Sequence, residues 1–291
     1  MDCCPVTIIV IAYNEEVNIS HALKSVVGWA RQVFVVDSYS TDRTVEIASE
    51  CGAAVHLHPF ESFCAQKNWA INDLPIETEW MLFLDADEYL SEEIKQEISR
   101  VLECVEDEVG GFITKMKFMY LGRWLKHGDL YRHLVRVVRK GKGAFIEAGG
   151  CREKLAVQGK LEMLQSYIVH DDHKTLHDWI SKQMVRISID AKEVSKTSEG
   201  GQEAVLSARS GPITIEGGRS RWLKRRLLCL PGPVRPFAQF VYRYVLRLGF
   251  LDGWQGFIYH FLLQFWYPLM VEATVIELRY RQKCQEAGRQ H

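Results

Sequence analysis

The sequence predicts an α/β fold with a mostly parallel central sheet, followed by C-terminal amphipathic helices. Three observations predict it. Short runs of β-branched and apolar residues, as expected of strands buried on both faces, alternate with amphipathic helical segments through the first hundred residues. From about Gly110 further strands follow, mixed with basic residues. From residue 219 the chain is basic, aromatic and helical in pattern. Right-handed crossovers between alternating strands and helices give parallel strands covered on both faces, and ligands of such sheets bind beyond the carboxyl ends of the strands.

Taken in order, Val6–Ala12 is a continuous β-branched run and the first strand. Residues 17–29 read as a helix with Ile19, Leu23, Val26 and Val27 on one side. Gln32–Asp37 is a second buried strand, and 43–51 a helix capped by Asp42 or Thr41. Ala54–Leu57 is a short third strand, 61–73 a helix and Trp80–Leu84 a fourth strand. Residues 91–104 form an amphipathic helix opened by Ser91, with Glu92 and Glu93 in its first turn. Gly111–Leu121, Leu134–Val138 and Leu161–Val169 read as strands, and about 175–195 as a long helix. Residues 196–218, rich in Ser, Gly and Glu, read as a linker. Pro231-Gly-Pro233 separates two helices in the basic region, and 252–283 reads as one more helix. The expected domains are therefore 1–195, in two halves at 1–110 and 111–195, and a helical region at 219–291.

The chain has 291 residues, 47% hydrophobic, 25% charged and 11% aromatic. That excludes a disordered chain, a collagen and a disulfide-scaffold peptide, and the length suits one large domain or two small ones. Charge is unevenly spread: residues 1–110 carry 6 basic and 21 acidic side chains, 111–218 carry 18 and 12, and 219–291 carry 12 and 4. The eight cysteines form no CxxC pair and no zinc spacing with histidine, which fits a reducing cytosol. The first apolar run is of strand length and has no basic segment before it, unlike a signal peptide or a membrane span.

Three polar clusters fall just past predicted strands: Tyr13-Asn14-Glu15, Asp37-Ser38 and Asp85-Ala86-Asp87. Carboxylates at i and i+2 after a strand can point into one cleft, where Mg²⁺ or Mn²⁺ would take them together with substrate phosphate oxygens. A D-x-D alone equally fits a solvated turn before a helix. Asp37 as an acceptor suits a nucleobase or ribose, and its bland alternative is a helix cap.

Taken together, Ala12-Tyr-Asn-Glu-Glu16, Asp37-Ser-Tyr-Ser-Thr-Asp-Arg-Thr44, Gln66-Lys-Asn-Trp-Ala70 and Leu84-Asp-Ala-Asp-Glu88 resemble, in order and spacing, the family 2 glycosyltransferases of GT-A (Rossmann-like) fold. Within them the chain most resembles the bacterial lipopolysaccharide-core β-1,4-glucosyltransferase group, loosely to about residue 195 and again at Gly249-Phe-Leu-Asp-Gly-Trp254. The resemblance implies that Tyr13, Glu15 and Asp37 hold the nucleotide, with uridine the expected base, and that Lys67 sits near the base or diphosphate. It implies that Asp85 contacts ribose or metal and that Asp87 ligates the metal. Tyr39 departs from the pattern, since the family commonly has glycine there. Arg132-His-Leu-Val-Arg136 is similar to the family's Arg-Leu-Phe-Arg segment, which implies that one or both of Arg132 and Arg136 face the cleft, with simple charged exposure the alternative. His170, ending an apolar strand, stands where such enzymes complete the metal or diphosphate site; a hydrogen-bonded structural histidine is the other reading.

Transfer from a nucleotide sugar needs charge stabilisation on the leaving diphosphate, which a cation on Asp87 supplies, and a base opposite the leaving group to deprotonate the acceptor. Family 2 enzymes invert, so one carboxylate suffices. Glu153 in Gly149-Gly-Cys-Arg-Glu-Lys154 is the candidate base, against a salt bridge with Arg152 or Lys154; Asp129, Asp171 and Asp172 are weaker candidates. The expected function is an inverting, metal-dependent sugar transfer from a nucleotide donor to a saccharide or lipid-linked acceptor in cell-envelope or polysaccharide biosynthesis. The alternatives are a nucleotidyltransferase, against which the missing Gly-rich loop after the first strand argues, and a non-catalytic nucleotide-sugar binder.

Residues 217–251 hold no Asp or Glu but eight basic residues interleaved with Trp222, Phe237, Phe240, Tyr242 and Tyr244. This pattern predicts attachment to a membrane surface through 219–271, placing the protein on the inner face of the plasma membrane, with packed helices carrying a solvated basic face as the alternative. Nothing matches a nucleic-acid module. His260, Gln264 and Pro268 interrupt the apolar run and argue against a span.

Overall fold

The computed structural model describes residues 3–128, 130, 133–147, 153–196 and 234–288. Asp129, Arg132, Arg152, the linker beyond residue 196, the basic residues from Arg219 to Arg226 and the Pro231–Pro233 break lie outside them. The described residues fall into two compact units, one within Met1–Met119, Tyr131–Glu147 and Arg152–Lys174, the other within Tyr120–Leu130 and Thr175–His291.

The first unit alternates β1 (Cys4–Ala12), α1 (Ile19–Lys24), β2 (Ala30–Asp37), α2 (Thr44–Glu50), β3 (Ala54–Leu57), α3 (Phe63–Asp73) and β4 (Trp80–Asp85). A short strand, β5 (Glu88–Leu90), precedes α4 (Glu92–Glu103) and β6 (Val109–Tyr120). After β7 (Arg123–Leu125), which belongs to the second unit, come β8 (His133–Arg139), β9 (Gly143–Glu147), β10 (Glu153–Val157) and β11 (Lys160–His170). Eight of these strands lie in the order β3-β2-β1-β4-β8-β6-β11-β5. The ladders β3·β2, β2·β1, β1·β4 and β6·β11 are parallel, and β8 runs antiparallel between β4 and β6. The mostly parallel α/β sheet expected from the sequence is therefore present. The β5, β9 and β10 strands were not foreseen.

β1 is central and covered on both faces, which is why its sequence is apolar without alternation. Val6, Ile8 and Val10 pack with Ile19, Leu23, Ala48, Ile94 and Ile98 of α1, α2 and α4. Ile9, one residue out of phase, packs with Phe34, Phe83, Ala70 and Leu74 on the α3 side. Each such fully buried side chain contributes about 1.5–3 kcal/mol. The 17–29 segment is helical only over Ile19–Lys24, and Gly28 (φ 84) turns the chain into β2. β9 and β10 form a separate antiparallel pair whose Phe145 and Leu155 complete the α3-side core. The Asn68 side chain extends that pair, accepting from Phe145 N at 2.8 Å and donating to Phe145 O at 2.9 Å.

In the second unit, α5 (Leu176–Lys196) packs through Ala191 and Val194 on Val275 of the last helix. After α6 (Val234–Phe240) come a π-helical turn at Val241–Leu246 and a 3₁₀ turn at Gly249–Asp252. Then α7 (Gly253–His260), a second π turn at Phe261–Trp266 and α8 (Tyr267–Gly288) run on as one rod. The stretch Gly249–Gln285, 37 residues, is long and apolar enough by length and composition to cross a membrane, and little of it is buried. The expected interrupting residues are accommodated within it. His260 is turned fully inward, and Pro268 stands at the second residue of α8, directly after the widened π turn.

Candidate active site

All the described candidate residues for chemistry lie in the first unit: Tyr13, Glu15, Asp37, Asp85, Asp87 and His170 at or just past the carboxyl ends of strands, Lys67 on α3, Arg136 within β8 and Glu153 at the start of β10. The loops after β1 and β2 are laced to each other. Asn14 N donates to Ser40 Oγ (2.8 Å) and Thr41 N to Asn14 Oδ1 (2.8 Å). Glu15 N donates to Thr44 Oγ1 (2.7 Å), Glu16 N to Asp42 Oδ2 (3.2 Å) and Arg43 N to Glu16 Oε2 (3.1 Å). The two motifs thus satisfy each other's backbone. Asp42 also accepts from Thr44 N and Oγ1, but the helix starts at Thr44 with Arg43, not Asp42 or Thr41, at the N-cap position.

Asp37 is fully buried; its two oxygens accept from Ser40 N (2.7 Å) and Ser40 Oγ (2.5 Å). Its carboxylate faces the turn rather than solvent. Tyr13, by contrast, is 56% exposed. Glu15 is buried and occupied: Lys174 Nζ lies 2.6 Å from its Oε1, and Asn18 Nδ2 donates to its Oε2 at 2.9 Å. Asn18 also donates to Asp172 and accepts from His173 N, so Glu15 and Asn18 fasten the segment that follows β11.

A network of five charges spans α3, β4, β5, β8 and β10. Lys67 Nζ is 2.7 Å from Glu153 Oε1 and 3.5 Å from Asp85 Oδ1, and it lies over the Phe145 ring. Arg136 Nη2 is 2.8 Å from Asp85 Oδ2 and 2.5 Å from Glu88 Oε1. Burial alone would lower the Lys67 ammonium, but Asp85 and Glu153 outweigh it and hold it above its ordinary value. Burial likewise opposes ionisation of Asp85, but Arg136 and Lys67 hold it well below the usual carboxylate range. At Glu88 burial wins over Arg136, and with Asp85 and Asp87 adding to it the carboxyl is pushed up to about 8. One guanidinium faces two carboxyls, which titrate as a coupled pair.

Asp87 points elsewhere. Its Oδ2 stands 3.7 Å from His170 Nε2, beyond hydrogen-bond length. The β5·β11 ladder sets this up by pairing His170 with Glu88, and Asp171 N donates to Asp87 O at 2.9 Å. Two ligand-type atoms therefore face each other unbonded. Among the described residues no three His, Cys, Asp or Glu are gathered to hold an ion by themselves. Mg²⁺ and Mn²⁺ accept one or two protein ligands and fill the shell with phosphate oxygens and water, so Asp87 with His170 fits such an ion as a site shared with substrate. Asp85 is engaged by Arg136 and Lys67 instead.

Several partners here were not singled out from the sequence. Gln66, fully buried, donates to Ser38 Oγ and His58 O and pairs with His58 Nδ1, tying the ends of β2 and β3 to α3. Glu88 and Lys174 complete ion pairs whose other halves are distant in sequence. The available signal was a polar inward face on α3, where Gln66 and Lys67 stand at core positions.

The family model for glycosyl transferase family 2 matches residues 7–152, and the chain belongs to that family. The α/β unit and the C-terminal helical segment agree with the GT-A arrangement that the motifs imply. An uncharacterized glycosyltransferase of Rickettsia typhi is 37% identical over 118 residues, 39% of this chain and 38% of that protein. The lipopolysaccharide core biosynthesis glycosyltransferase LpsC of Rhizobium meliloti is 22% identical over 162 residues, 54% of this chain and 59% of that protein. The structure of S. aureus TarS 1–349 superposes with a TM-score of 0.43 at 17% identity, covering 96% of this chain and 91% of that one. The matched stretch spans about two fifths of the Rickettsia relative's length.

Proposed function

We propose that this protein transfers a sugar, with inversion, from a nucleotide donor, UDP being the expected nucleotide, to a saccharide or lipid-linked acceptor of the cell envelope. Membership of the glycosyl transferase family supports the reaction, and the relative named for lipopolysaccharide core biosynthesis supports the acceptor class. The observation that carries the reading is the gathering of Asp87, His170, Lys67, Arg136 and Glu153 from separate strand ends and from α3.

Asp87 and His170 would hold Mg²⁺ or Mn²⁺ with the donor diphosphate; the ion supplies charge neutralisation of the leaving group when bound. Asp85 and Glu88 fix Arg136, and Asp85 with Glu153 fixes Lys67, so two buried cations are held without rearrangement beside the place where the diphosphate develops charge. Glu153 would take the proton of the acceptor hydroxyl as base. Tyr13 offers an exposed ring for the nucleobase. Asp37 and Glu15 would serve the donor by fixing the loops that carry Tyr13 and the segment after His170.

The second unit would attach the enzyme to the inner face of the membrane through 219–271. Phe237, Phe250, Trp254 and Phe261 are exposed there, and Trp254 and Phe261 stack on Phe257. The test is a thermal-shift screen of nucleotide sugars with and without Mn²⁺, followed by product analysis. Stabilisation by one UDP-sugar, greater with the ion, is expected. Binding without transfer or hydrolysis to any acceptor would sink the enzymatic reading.

A further inference from the structure

Among the described residues, four other than glycine adopt a left-handed backbone: Asn14, Tyr39, Leu121 and Leu248. Asparagine tolerates that region, whereas an aromatic residue there is strained. Tyr39 (φ 60) stands where a glycine would make the same turn freely. The surroundings hold the strain in place. Ser40 N donates to Asp37 Oδ1 at 2.7 Å, Ser40 Oγ donates to Asp37 Oδ2 at 2.5 Å, and Ser40 Oγ accepts from Asn14 N at 2.8 Å. A conformation over-determined in this way is a mark of function.

What the turn delivers is a ring to solvent: Tyr39 is 56% exposed, as is Tyr13. Ala12 and Asp37 are partners in the β1·β2 ladder, so Tyr13 follows one end of that rung and Tyr39 lies two residues past the other. Two solvent-facing rings thus follow neighbouring strands at the rim where ligands of such sheets bind. A single exposed aromatic is ordinary; one kept at the cost of backbone strain beside a second is not.

We propose that Tyr39 is a binding contact for the donor, presenting its ring face to the nucleobase on a turn held by Asp37 and Ser40. The proposal deepens the nucleotide-donor reading and rests on it.

Calorimetric titration of the full chain with UDP and with GDP, in Mn²⁺, tests it on wild type, Tyr39→Phe, Tyr39→Leu and Tyr39→Gly. Tyr39→Phe is expected to bind as wild type. Tyr39→Gly and Tyr39→Leu are expected to bind about 10-fold more weakly, the loss of one base–aromatic stack. The melting midpoint of free Tyr39→Gly should stay level or rise as the strain is relieved. Wild-type affinity in Tyr39→Gly, or in Tyr39→Leu alone, overturns the role of the ring while leaving the donor reading standing. A wild-type protein that binds neither nucleotide overturns both.

Discussion

Lys67 Nζ and Glu153 Oε1 lie 2.7 Å apart although 86 positions separate them in the chain. The contact exists because Asn68, next to Lys67 on α3, pairs through its amide with the backbone of Phe145 and so seats the β9–β10 pair beside that helix. The candidate base is therefore held by a buried ammonium that also faces Asp85.

Glu153→Gln keeps the hydrogen bond to Lys67 but loses the charge. Turnover should fall about 10²- to 10⁴-fold, the range of a lost general base, with donor affinity nearly unchanged. Steady-state kinetics with a titration of UDP separate the two. Loss of donor binding would instead assign Glu153 to holding Lys67.

Asp87→Ala and His170→Ala should each remove the enhancement of nucleotide binding by Mn²⁺, and chelation should stop transfer by the wild type. Asp85→Asn should leave that enhancement in place and weaken the nucleotide itself, because Asp85 faces Arg136 and Lys67 rather than His170. Full activity in excess chelator would remove the metal from the reaction.

His260 is fully buried. A Cβ on Gly128 or Gly249 would stand 2.1 Å or 2.7 Å from its ring, so those glycines make room for it. It faces Arg243, Asp252 and the backbone of His127. Burial, then Arg243, lowers its pKa from 6.5 to about 4. The unfolded chain then takes up the proton first. The stability is whole above pH 6.5 and drains away as pH falls toward 4, by about 3 kcal/mol in all. Urea unfolding of wild type and His260→Gln between pH 7.5 and 4 measures it. A variant as acid-sensitive as the wild type would contradict the assignment.

Phe237→Ser with Trp254→Ser removes two exposed rings, Trp254 being 71% exposed. Flotation with vesicles containing anionic lipid should show binding reduced about 10-fold or more, and salt should weaken what remains by screening the basic residues. Binding unchanged by the double substitution would return these helices to packing alone.

Much of the framework was legible in the linear chain. β1, β2 and β4 announce themselves because a strand buried on both faces must be largely apolar, and Val6–Ala12 is so apart from Thr7, whose hydroxyl bonds to Thr78 and Gln32. Asp87, His170, Lys67, Arg136 and Glu153 were all named from motif and position. Their partners were not. Glu15, expected at the nucleotide, also pairs with Lys174, and Asp85, expected at ribose or metal, also pairs with Arg136; neither pairing could be read from the chain.

By itself, then, the sequence determined the alternation of strands and helices through the first hundred residues, the residue types at the rim and the family. These follow from local periodicity and spacing, which every chain segment carries within itself. Tertiary structure alone decided which carboxylate meets which cation, that β5 turns Asp87 toward His170, and that His260 points inward. Those outcomes depend on the packing of segments tens of residues apart. A buried charge takes whichever opposite charge the fold brings within reach, since leaving it unpaired costs several kcal/mol.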